Sequence, residues 1–218
     1  MAAFDQDRTR QFYDRFGARQ DSQGFYEDAA LVALVRAGHF DAAESVLEVG
    51  CGTGKLAARL LADHLSSSAR YVGIDISSTM VALARERLSP WADRAQVHLS
   101  AGDFDFRRYG GAFDRVVFTY VFDLLSAAQI RAALAGAHAG LHGGGLLCSA
   151  GLTVGDGLLS RATSTLWALV HRATPYLVGG CRPLVLVDFL SGDDWRVVHR
   201  EVIVSALVPS EIITAEAI

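Results

Sequence analysis

Short apolar runs alternate along this chain with stretches whose apolar residues recur at helical spacing. The first run, Val46 to Val49, breaks at Gly50-Cys51-Gly52-Thr53-Gly54 and is followed by Lys55 to Ala62, a row of good helix formers. Tyr71 to Asp75 is a second short strand ending in an acid, after which Ser77 or Ser78 caps a helix through Leu88. Further strands are predicted at Gln96 to Leu99, Phe113 to Thr119 and Leu146 to Ala150. The helix before the last of these spans Ser126 to about Leu141 and ends at Gly143-Gly144-Gly145. Upstream, Asp28 to Ala37 is helical and closed by Gly38, and Met1 to Glu27 is a short helix plus loop rich in charge and aromatics. Downstream the pattern predicts a helix at 158–171, an apolar segment at Leu184 to Leu190, and strands at Trp195 to Val204 and Glu211 to Ala215.

Strands that alternate with helices, joined by connections too long for hairpins, build a parallel sheet covered by helices on both faces. Ligands of such sheets bind beyond the carboxyl ends of the strands, where Gly50 to Gly54, Asp75, Asp103 and Tyr120 converge.

The 218 residues, 51% hydrophobic and 20% charged, suit one domain: an N-terminal arm or lid over 1–40, a core over 41–150, and an insert with the last strands over 151–218. A formal charge of −4 argues against a nucleic-acid partner. The start lacks the apolar core of a signal peptide and no uncharged apolar run reaches the ~18 residues of a membrane span, so the expectation is a cytoplasmic protein. Cys51, Cys148 and Cys181 are far apart and form no C-x-x-C pair, which favours reduced thiols over a zinc site. His138 and His142 stand four apart with no third ligand nearby, and fit a helix C-terminus better than a metal.

Gly50, Gly52 and Gly54 permit positive φ and let main-chain donors approach a ligand with no Cβ between. The dinucleotide fingerprint G-x-G-x-x-G needs its third glycine where this chain has Lys55, which disfavours a nicotinamide site.

Taken in order, Val46 to Gly54, Asp75, Gly102-Asp103 and Phe113-Asp114 resemble the class I S-adenosylmethionine-dependent methyltransferases over roughly residues 45–150. The resemblance implies a Rossmann-like, seven-stranded, mostly parallel sheet whose last strand is antiparallel, here Ile212 to Ile218 after a turn at Pro209. It also implies S-adenosyl-L-methionine as cofactor and S-adenosyl-L-homocysteine as product.

Within that resemblance, the backbone of Gly50, Cys51, Gly52 and Gly54 cradles the methionyl and ribose portion, and Glu48 orients the ammonium. Asp75 offers the ribose hydroxyls a bidentate carboxylate, with Ile76 against the adenine. Asp103 takes the adenine amino group and Phe104 packs on the ring, while Asp105 starts a helix and faces water. Phe12 and Tyr13 either close over the cofactor or pack the arm onto the domain.

Thr119-Tyr120-Val121-Phe122-Asp123 is not Asn-Pro-Pro-Tyr, which argues against amide and adenine N-methylation. Tyr120 is the candidate facing the methyl group and Asp123 the candidate base or acceptor-binding acid, with His171 and His199 as remote alternatives. Leu158, Leu159, Leu166, Trp167, Leu169, Val170, Tyr176 and Leu177 make the insert apolar, so it is core, a dimer face, or the pocket of a small apolar or amphiphilic acceptor. The competing functional reading is a non-catalytic S-adenosylmethionine-binding sensor or partner protein.

Overall fold

The structure, a computed structural model, describes residues 6–17, 24–155, 165 and 181–218. Helices α1 (Gln6–Phe16) and α2 (Gly24–Ala37) precede β1 (Ser45–Val49), α3 (Lys55–Asp63), β2 (Arg70–Asp75), α4 (Ser78–Arg87) and β3 (Ala95–Leu99). Then come β4 (Phe113–Thr119), α5 (Ala127–Gly140), β5 (Leu141–Leu152), β6 (Trp195–Ser205) and β7 (Val208–Ala217). The strands form one sheet in the order β3-β2-β1-β4-β5-β7-β6. Pairing is parallel from β3 to β5, and β7 runs antiparallel to both β5 and β6.

Period-two alternation sends successive strand residues into two cores. Val46, Tyr71, Val117, Cys148 and Ile212 face α2 and α3, whereas Leu47, Val72, Val116, Leu147 and Ile213 face α5. Every residue of β1 is buried, as a strand covered on both faces requires, while β3 and β6 at the two edges carry exposed positions.

Two polar clamps fix the parts that carry the site. The Asp114 carboxylate accepts from Glu44 N and Ser45 N, each at 2.9 Å, and from Ser45 Oγ at 3.0 Å, holding the entry of β1. Arg115 donates to Gly38 O at 2.6 Å and His39 O at 2.8 Å, tying the end of α2 to β4. A cation there also answers the negative end of the helix dipole.

Two sequence expectations give way. Gly143-Gly144-Gly145 does not end α5; the chain passes from Gly140 directly into β5, and the glycines form a bulge inside it. Phe113 pairs with Leu141 but Arg115 with Leu146, so β5 carries extra residues, accommodated by Gly144 at φ 79°. Nor does Pro209 make the final turn. It pairs with Val204 within β7, and the turn is Ala206-Leu207, at φ 49° and 67°. A tight two-residue hairpin needs positive φ at both positions, and neither residue signals that in sequence. The predicted helix at 158–171 and most of the apolar insert lie outside the described residues.

Among the described residues no cluster of His, Cys, Asp and Glu could hold a metal. His138 stands edge-on to Trp195 with Nε2 3.1 Å from Ile218 O, and His142 is exposed.

Candidate active site

The turn after β1 is built as its glycines require. Gly50, Gly52 and Gly54 adopt φ of 72°, 53° and 76°, where side chains are strained. A Cβ on Gly50 would stand 2.5 Å from Val121 Cγ2, so two elements meet at bare backbone. Gly50 N and Cys51 N both donate to Ile74 O, at 2.8 and 3.1 Å, locking the turn against the end of β2. Cys51 fills a small core position beside Gly73, and burial pushes its thiol pKa well up.

Asp75, at the end of β2, is buried and reaches back to the same turn. Its Oδ2 accepts from Gly52 N at 3.0 Å and its Oδ1 from Ser77 N at 2.9 Å. Burial raises its pKa to about 6, against the lowering effect of those backbone donors. Glu48 is not a surface-facing strand residue: it is 1% exposed and accepts from Tyr71 OH at 2.6 Å. Burial lifts it to about 7. It lines a small cleft with Thr53 and Lys55, not the main cavity.

The main cavity opens beyond the strand ends. Gly50, Asp75, Ile76, Asp103 and Phe104 line one end, and Thr119, Tyr120, Val121, Leu124, Leu125 and Cys181 the other. Thr9 and Tyr13 of α1 and Glu27 and Leu31 of α2 complete the wall. Asp14 fastens α1 there: its Oδ1 accepts from Ser77 Oγ at 2.6 Å at the N-terminus of α4. Phe12 stands edge-on to Tyr13, 5.3 Å between centroids, and does not line the cavity. Burial, then the nearby Cys181, Asp75, Glu27 and Asp123, pushes the Tyr13 hydroxyl well up.

The adenine-side candidates differ in setting. Asp103 is exposed, and its carboxylate is 2.8 Å from Arg108 Nη1. Phe104 is half-buried and its loop rests on α5 at Gly136, where a Cβ would lie 2.1 Å from Phe104 O. Asp105 precedes a 3-10 turn, Phe106–Tyr109, and is exposed.

Tyr120 takes φ 55° and places its ring on the cavity wall, with its hydroxyl 2.9 Å from Ser210 Oγ. Burial pushes its pKa far above the ordinary value. Asp123 is not brought to the cavity. It is 2% exposed, accepts from Leu152 N at 2.8 Å, and sits against Gly151, where a Cβ would lie 2.6 Å from its Oδ1. Burial raises it to about 8, with Arg182 acting in the opposite direction. His199 lies on the edge strand β6 beside Glu201 at 3.4 Å, and His171 is outside the described residues.

Sequence reasoning missed Glu27, Leu31, Leu124, Leu125, Gln129 and Cys181 as wall residues. The i, i+4 pair Glu27 and Leu31 shares one face of α2, the one signal that was available.

A methyltransferase-domain family model matches residues 47–147, from β1 into β5. Those residues thus match a methyltransferase domain, within the stretch whose motifs resemble the class I S-adenosylmethionine-dependent methyltransferases. The N-methyltransferase NodS from Bradyrhizobium japonicum WM9 is 19% identical, with TM-score 0.66 over 88% of this chain and 96% of that one. The [4+2]-cyclase SpnF superposes with TM-score 0.71 over 100% of this chain and 98% of the other, at 15% identity. Magnesium protoporphyrin IX methyltransferase from Synechocystis PCC 6803, solved with S-adenosylhomocysteine, gives TM-score 0.62 at 18% identity, covering 88% and 81%. These likenesses establish the shared fold; the cofactor that the family resemblance implies is S-adenosylmethionine.

The residues present fit that cofactor. Gly50 brings bare backbone to the cavity wall, the buried Asp75 carboxylate lies beside it on Gly52 N, and described basic side chains are absent from the cavity lining. A cationic ligand meets no like charge there.

Proposed function

We propose that this methyltransferase moves the methyl group of S-adenosylmethionine to a small apolar or amphiphilic acceptor. The observation that carries the reading is one continuous cavity running from the glycine turn and Asp75 to an apolar end formed by Val121, Leu124, Leu125 and Tyr120. When bound, the cofactor supplies an already activated methyl group, so the protein contributes chiefly alignment and exclusion of water.

Each wall residue then has a task. The main chain at Gly50, Gly52 and Gly54 holds the methionyl and ribose portion, and Asp75 accepts from the ribose hydroxyls. Ile76 and Phe104 flank the adenine, with Asp103 at its amino edge. Glu48, engaged by Tyr71, acts on the ammonium through the small cleft it lines. Tyr120 presents a ring and a hydroxyl held by Ser210, which makes it a positioning wall and not a base. Asp123 braces the end of β5.

Three buried cysteines, none of them in a disulfide, support a cytoplasmic setting, and none of the described helices is long and apolar enough to cross a membrane. The test is release of S-adenosylhomocysteine with a panel of apolar acceptors. A second reading, a cofactor-binding protein without methyl transfer, draws on the whole-chain match to a [4+2]-cyclase. It requires cofactor binding with no turnover on any acceptor, and that result would displace the first.

A further inference from the structure

Resting on the methyl-transfer reading above, we propose that Asp14 is a positioning residue of the cofactor site. Through Ser77 it sets the Asp75 carboxylate and the α1 wall as one unit, and so governs how long the cofactor stays bound. Three observations carry the assignment.

The first is a continuous chain of hydrogen bonds from α1 to the glycine turn. Asp14 Oδ1 accepts from Ser77 Oγ at 2.6 Å, Ser77 N donates to Asp75 Oδ1 at 2.9 Å, and Asp75 Oδ2 accepts from Gly52 N at 3.0 Å. Ser77 is fully buried as the N-cap of α4, and its Oγ also accepts from Met80 N at 3.2 Å. Its one hydroxyl proton is thereby committed to Asp14, which fixes the direction of every bond in the chain. Each oxygen of Asp75 keeps a further lone pair for a ribose diol, and the two backbone donors dictate where those lone pairs point.

The second is what α1 carries. Thr9 and Tyr13, four residues apart and so on one face of the helix, line the same cavity as Asp75. α1 packs on α4, where Asp14 Oδ1 also lies 3.4 Å from Thr79 N in the first turn. A carboxylate is favoured at that positive end of the helix. The seat of α1 and the ribose carboxylate are thus joined at one residue, Ser77.

The third is electrostatic. Burial is the main cause of the raised Asp75 pKa and the Asp14 charge adds to it, so the two carboxylates feel one another. This gives the proposal a sign of its own. S-adenosylhomocysteine has no sulfonium, and removing the Asp14 charge favours ionised Asp75, so electrostatics alone demands equal or tighter binding. Loss of a positioning contact demands the reverse.

The test follows release of S-adenosylhomocysteine from the full chain by stopped-flow displacement, together with hydrogen exchange of α1 by mass spectrometry. In Asp14→Ala dissociation should be at least ~10-fold faster, with association within about threefold of the parent, the size of one charge-assisted contact. Asp14→Asn, which keeps an acceptor for Ser77 Oγ, should fall between. Ser77→Ala should release the ligand at least as fast as Asp14→Ala, and the double variant should exceed the faster single one by no more than about threefold, since both break one contact. In the parent, saturating S-adenosylhomocysteine should slow exchange in α1, and in Asp14→Ala that protection should be lost while β1 to β5 stay protected. Arg15→Ala, an exposed neighbour on the same helix, should leave both rates within about twofold of the parent. Unchanged or slower dissociation in Asp14→Ala, effects that multiply in the double variant, or α1 exchange indifferent to the ligand would overturn the proposal. A lower Tm with unchanged dissociation would do the same, since Asp14 would then serve stability alone. A parent protein that binds no S-adenosylhomocysteine would instead bring down the methyl-transfer reading itself, a separable result.

Discussion

Gly136→Ala sets helix propensity against packing, with opposite signs. In an exposed helix interior the change should stabilise by about 1 kcal/mol, because glycine loses more backbone entropy on folding. In α5 the new methyl would stand 2.1 Å from Phe104 O, 3.1 Å from Phe104 Cβ and 3.2 Å from Phe104 C. The first contact is on the order of 1 Å inside van der Waals separation, and the atom it meets is backbone, which cannot swing aside. The loop must therefore lift, at an overpacking cost of about 1–3 kcal/mol. Set against the propensity gain, this leaves a net loss of about 0–2 kcal/mol, or a Tm lower by up to roughly 8 °C in a domain of this size. Because that loop carries Asp103 and Phe104 into the cavity wall, S-adenosylhomocysteine affinity should fall by about tenfold. Thermal melts and calorimetry read the two effects. A Tm increase of about 2–4 °C with unchanged affinity, the outcome that propensity alone demands, would refute the contact and with it the seating of the loop on α5.

Asp75→Ala should weaken cofactor binding at least ~10-fold by calorimetry, and unchanged affinity would remove the ribose assignment. For the parent protein, that affinity should improve as pH rises through about 6, where the Asp75 carboxyl ionises in the fold. Stability has the opposite slope. Glu48 and Asp123 hold their protons up to about 7 and about 8 in the folded state, well above the values of the unfolded chain. The folded state thus binds more protons between about pH 4 and 8, and the melting temperature should fall as pH rises through that window. For Glu48 the rise from 4.5 to about 7 corresponds to on the order of 3 kcal/mol, so Glu48→Gln should flatten the profile and raise Tm at pH 8. Asp123→Asn should keep methyl transfer within about threefold, and Tyr120→Phe, which loses the Ser210 contact, within about tenfold; a larger loss in steady-state assays would restore either to a proton-transfer role.

How much of this was legible in advance differs by element. Tyr71 to Asp75 and Phe113 to Thr119 announce themselves as buried strands, because a strand covered on both faces is apolar at nearly every position. The same local rule misreads Gly143-Gly144-Gly145. A run of glycines marks departure from regular geometry, but a helix end and a strand bulge use the same positive φ, and only the register of β4 against β5 distinguishes them. The Ala206-Leu207 turn carries no local signal at all: the pairing of β6 with β7 imposes it.

The sequence by itself determined the order of the elements, the glycine turn and the acid that ends β2. These depend on backbone conformation and on neighbours close in the chain, where residue type and φ, ψ are directly coupled. It also carried enough spacing for the family resemblance. Only the tertiary structure decided what each acid is bonded to. Glu48, Asp75 and Asp123 look alike in sequence, yet one is bound to Tyr71, one closes on Gly52 and one is turned onto Leu152. Glu27, on a helix that reads as mere lead-in, becomes part of the cavity wall because Arg115 anchors the far end of α2 to β4. Hydrogen-bond partners and burial are set by residues tens of positions away, and they determine whether a carboxylate is a ligand, a base or a strut.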